Sequence, residues 1–112
     1  MYEPTLSEWN WYVLMLNQSM IGAISNNFRM VSLKWINDGW TVQFVFAEKS
    51  DEDEEEAFEI SEQMSIFLMD IYDKISDEAK TDICTDIIYS NQPLFMQNRS
   101  FERVVFKRKE VS

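Results

Sequence analysis

The side chains able to do chemistry in this 112-residue chain are nearly all carboxylates, because it holds no histidine and a single cysteine, Cys84. Without histidine there is no Ser-His-Asp or Cys-His pair, no imidazole base and no histidine zinc site. One thiol excludes an internal disulfide and an all-thiolate zinc site. Catalysis would fall to paired carboxylates, yet no surrounding motif pins any two of them as acid and base. The densest group runs from Asp51 to Glu62, where Asp51, Glu52, Asp53, Glu54, Glu55, Glu56, Glu59 and Glu62 follow without an intervening base. Asp51, Asp53 and Glu55 alternate as calcium ligands do. The mid-loop glycine and the terminal bidentate glutamate of a calcium loop are missing, however, and a helix start would splay these carboxylates. The expectation is no catalytic residue, no cofactor and no metal.

What the acids can do is make a field. Twenty acids against ten bases give a net charge of −10, and outside the run the balance is twelve against ten. A local negative field opposes binding to nucleic acid or to anionic membranes and steers a basic protein partner. Asp51, Asp53, Glu54, Glu55, Glu56, Glu59 and Glu62 are therefore the candidate partner-binding acids. Trp11 falls off the apolar stripe of its helix, so it is either an aromatic anchor for that partner or edge packing. The C-terminal bases Arg103, Lys107, Arg108 and Lys109 are too few for a phosphate-binding patch and suit the protection of an edge strand or pairing with the chain's own acids.

The chain that positions these groups is 46% apolar and 14% aromatic. That is enough for one core, and one domain over residues 1–112 is expected. Met1-Tyr2-Glu3-Pro4 lacks the basic start and apolar run of a signal peptide, and Trp11 to Leu16 is too short to span a bilayer. A cytoplasmic protein is expected, with Cys84 a buried or half-buried structural thiol.

Thr5-Leu6-Ser7-Glu8 has the spacing of a capping box. Behind it Trp9, Val13, Leu16, Met20 and Ala23 mark a helix over about 6–20, stopped near Gly22. Alternation at Val31, Leu33 and Trp35 and again at Trp40, Val42, Phe44 and Phe46 predicts a hairpin. Its Asp38-Gly39 turn would pair Asn37 with Trp40 and Trp35 with Val42. Ser50 caps a second helix, whose stripe of Ile60, Met64, Phe67, Leu68, Ile71 and Ile75 extends it over about 51–75. A strand over 81–89 follows, with Ile83 and Ile87 on one face. After it comes a loop to about Ser100, then a last strand over 103–109 with Val104 and Phe106 inward. The order α-β-β-α-β-β predicts an α+β fold of two layers. Its sheet would be four-stranded and mainly antiparallel, with two helices packed on one face.

Three stretches carry a resemblance to a known family: Met20-Ile21-Gly22-Ala23-Ile24-Ser25-Asn26-Asn27-Phe28-Arg29-Met30-Val31-Ser32-Leu33, the acidic start from Asp51 to Glu56, and Ile87 to Leu94 followed by Arg103 to Glu110. With them the chain resembles the small bacterial immunity proteins of contact-dependent inhibition and other polymorphic toxin systems. It departs from them at Asn91-Gln92-Pro93, where similar proteins often have an acid before the proline. The resemblance implies a non-enzymatic inhibitor that binds a cognate toxin domain and blocks its active site or substrate access, without identifying the toxin. The acidic charge adds the expectation of a basic toxin, and nuclease toxins, which must attract phosphate, are commonly basic. The competing reading is an acidic regulatory or adaptor module for another intracellular protein. An exposed sheet edge would also permit a homodimer.

Overall fold

The computed structural model describes residues 2–94 and 101–109. Its elements are α1 (Leu6–Met20), β1 (Phe28–Ile36), β2 (Gly39–Phe46), α2 (Asp51–Met69), β3 (Ile83–Tyr89) and β4 (Glu102–Lys107). Two short 3₁₀ turns, Tyr72–Lys74 and Asp77–Ala79, lie between α2 and β3. The strand order is β3-β2-β1-β4, with β1 antiparallel to both β2 and β4. The β2–β3 pair is parallel, so the sheet is mixed. That follows from α2: a helix between two neighbouring strands returns the chain to the end from which it started, whereas a hairpin reverses it. The loop expected to reach Ser100 lies partly outside the described residues.

Both helices pack on one face, where Trp9, Tyr12, Leu16 and Met20 of α1 and Ala57, Ile60, Met64 and Leu68 of α2 meet Val31, Leu33, Trp35, Trp40, Val42, Phe44 and Phe46. The capping box forms as the spacing predicted. Gly22 takes φ of +78° just after α1, the left-handed stop that glycine allows without a Cβ clash. Tyr12 sits nearer the centre of the buried stripe than Val13, which is only half-buried.

Four expectations need correction. The hairpin turns on Asn37 and Asp38, both at positive φ (53° and 57°), and pairs Ile36 with Gly39 and Trp35 with Trp40. Asn and Asp tolerate the left-handed region that a type I′ turn requires at both central positions. The expected register is offset by two residues, so it puts the same side chains on the same face, and alternation could not tell the two apart. The second helix stops at Met69. Ile71 and Ile75 still reach the core, but through a 3₁₀ turn. In β4 a bulge between Val31 and Ser32 sets Phe106 against Val31 and Val104 against Ser32. Val105 and Phe106 therefore pack on the core, and Val104 does not. Finally, Cys84 is exposed, because it lies on the face of edge strand β3 that no helix covers.

Glu8 ties the start of α1 to the 3₁₀ region. Only 4% exposed, it accepts hydrogen bonds from the Tyr2 hydroxyl, Thr5 N (2.9 Å), Ser76 N (2.8 Å) and Ser76 Oγ (2.7 Å). Burial alone would raise its pKa, but these donors outweigh it and hold the carboxylate at about 2. The folded value lies below the ordinary 4.5. The stabilisation is therefore complete above pH 4.5 and is lost as the pH falls towards 2. Glu8→Gln is expected to cost roughly 2–3 kcal/mol at pH 7 and progressively less below pH 4, read by urea unfolding at both pH values. Asn37→Ala is expected to cost about 1 kcal/mol in the same assay, whereas a strand position opposite Trp40 would tolerate it.

Candidate functional site

The acidic segment forms the first half of α2. Ser50 caps it, its Oγ accepting from Asp53 N at 3.2 Å, and the acids of the first turn meet the positive end of the helix. Helical spacing then separates the acids into two groups that the linear run conceals.

The first group is engaged inside the fold. Asp53 accepts from Ser25 Oγ (3.0 Å) and Asn27 Nδ2 (3.0 Å), fastening α2 to the loop before β1. Glu54 accepts from the Tyr89 hydroxyl and from Lys49 Nζ at 2.9 Å, which hold its carboxyl below the usual range. Lys49 also reaches Asp51 at 3.3 Å, and Glu54 and Asp51 together push its ammonium up to about 12. Its ammonium also lies 5.8 Å from the centroid of the Tyr89 ring. Glu56 is half-buried, and burial followed by the negative charges of Glu59 and Asp53 raises its pKa.

The second group faces outwards. Glu52, Glu55, Glu59 and Glu62 are exposed and have no ion-pair partner among the described residues. At steps of three and four residues they share the side of α2 opposite Ala57, Ile60, Met64 and Leu68. Interleaved with them are Phe58, Ile66 and Met69, which are 56%, 50% and 65% exposed. The sequence reading missed these three. The available signal was their position off the Ile60-Met64-Leu68 stripe of the same helix.

Trp11 is not part of this surface. It is half-buried against the core, with Lys74 Nζ 5.8 Å from its ring centroid, near the far end of α2 from the acids. The structure thus brings Glu55, Glu59 and Glu62 together and leaves Asp51 at their margin. Asp53 and Glu54 are tied to partners within the fold, Glu56 is half-buried, and Trp11 stands apart. Among the described residues no three His, Cys, Asp or Glu side chains gather as a metal ion would need. No helix among them is long and apolar enough to cross a membrane.

The outward acidic face of α2, with apolar side chains set into it, is the candidate surface for contact with another macromolecule. The family model described as MafI2 immunity protein matches residues 9–110, and the chain belongs to that family. Its role is accordingly that of an immunity protein, whose partner is a cognate toxin. Comparison with the curated proteins finds no match.

The two groups of acids should separate experimentally. Asp53→Ala is expected to cost about 1–2 kcal/mol of stability through its lost bonds to Ser25 and Asn27 and its lost charge at the positive end of the helix. Glu55→Ala, Glu59→Ala and Glu62→Ala should each stay within about 0.5 kcal/mol of the parent. Equilibrium unfolding of the four variants decides it.

Proposed function

We propose that this immunity protein neutralises a basic toxin domain, of the nuclease kind, by covering its active site or substrate path, and that it does so by binding alone. The observation that carries this reading is the set of outward carboxylates on α2, Glu52, Glu55, Glu59 and Glu62, which have no ion-pair partner among the described residues, with Asp51 and its partner Lys49 at their margin. A nuclease must attract phosphate and so presents positive charge. A fixed negative face competes for that charge and raises the encounter rate, by about 10 to 1,000-fold in strongly steered pairs. The inventory of side chains supports inhibition without turnover, since neither imidazole nor a paired nucleophile is present. Such a partner would be met in the cytoplasm, before the toxin finds its substrate.

Of the other candidate acids, Asp53 and Glu54 are tied into the fold and support this surface, Glu56 is half-buried beside it, and Trp11 lies outside it. Co-expression with its cognate toxin should restore growth, and arrest in the presence of soluble immunity protein would refute the reading. Reversal of Glu55, Glu59 and Glu62 to lysine should slow association by about tenfold or more at low salt and flatten its salt dependence. Stopped-flow mixing at two ionic strengths measures both; an unchanged rate removes this face from the encounter.

A further inference from the structure

The two edges of the sheet are built differently. At one edge, β4 carries a bulge in its register and the bases Arg103 and Lys107, devices that discourage further strand pairing. At the other, β3 runs seven residues, Ile-Cys-Thr-Asp-Ile-Ile-Tyr, with no proline, no lysine and no break in its register with β2. No strand among the described residues pairs with its outer side.

The direction of its backbone groups follows from one bond. Ser90 N donates to Phe46 O at 2.9 Å, so the even-numbered residues of β3 face β2. Side-to-side alternation then turns the N–H and C=O groups of Ile83, Thr85, Ile87 and Tyr89 outwards. Above this edge lies one flank of α2. Glu54 bonds Tyr89, and Ser61 Oγ accepts from Thr85 Oγ1 at 2.8 Å. Phe58, Ser65 and Met69 continue that flank at helical steps, and Phe58 and Met69 are more than half exposed.

We propose that β3 accepts an extended segment of the toxin domain as a fifth strand, held beneath the Phe58–Met69 flank of α2. The proposal rests on the toxin-binding reading above and names its contact. A row of alternating donors and acceptors is matched by another extended backbone. The exposed acids beside it, Glu55, Glu62 and Asp82, select a segment with basic residues, and Phe58 and Met69 select apolar ones at its inward positions.

Amide hydrogen exchange of the immunity protein, alone and with its cognate toxin domain, tests the proposal. In the free protein the amides of Cys84, Asp86 and Ile88 should exchange slowly and those of Thr85 and Ile87 fast. In the complex Thr85 and Ile87 should slow by about tenfold or more. A complex that forms while leaving these two amides fast overturns the fifth strand but spares the immunity reading; absence of any complex overturns both. Protection that appears in the free protein and grows with its concentration would give the edge to a second copy and also overturn the proposal. Phe58→Glu separates contact from attraction, since it adds negative charge while removing an apolar side chain. Affinity should fall by about tenfold, and unchanged or tighter binding counts against the flank.

Discussion

Burying an indole N–H and a phenol O–H in one apolar layer requires an acceptor for each, and this fold meets both needs with a single carbonyl. Ala79 O accepts from Trp40 Nε1 at 2.9 Å and from the Tyr12 hydroxyl at 2.7 Å, one donor for each lone pair. The two rings stack at 4.1 Å, while Trp9 and Trp35 meet Trp40 edge-on at 4.9 and 5.0 Å. Burial pushes the Tyr12 hydroxyl pKa up, which keeps it a donor. Trp40 thereby joins β2, α1, the hairpin partner and the segment after α2, and its own amide donates to Thr81 Oγ1 at the entrance to β3. The turn at Asn37 and Asp38 matters because it sets Trp35 beside Trp40. The 3₁₀ region matters because it delivers Ala79.

A similar economy governs the acids. Glu8 is enclosed by donors and locks the N-terminal end of α1 to Ser76, while Asp53 and Glu54 lock the start of α2 to the loop before β1 and to the end of β3. With those attachments in place, α2 is held over the β3 edge and its remaining carboxylates have nowhere to turn but outwards. The unneutralised face is thus a product of tethering as much as of composition. The same tethers align Phe58 and Met69 with the outer edge of β3.

Element types and their order could be read from the chain because each rests on local physics. The Thr5-to-Glu8 box, the Gly22 stop and the alternation of β1 and β2 are written within a few residues of where they act. Register was not legible, because alternation has a period of two and is unchanged when both partners shift together. The bulge at Val105 and the end of α2 at Met69 depend on what packs against them. The alternating pattern around Cys84 suggests a buried or half-buried thiol, but alternation does not say which face a helix will cover.

By itself the sequence determined the class of the fold, the absence of imidazole and paired-thiol chemistry, and the concentration of negative charge between Asp51 and Glu62. These are properties of residue type and short spacing. Only the tertiary structure decided which acids are engaged and which face outwards. It also decided that β3 lies parallel to β2 at an edge with which no further strand among the described residues pairs, and that Trp11 sits away from the acidic face. Those outcomes depend on contacts between segments tens of residues apart, such as Asp53 with Ser25 and Trp40 with Ala79. No periodicity within a single segment encodes them.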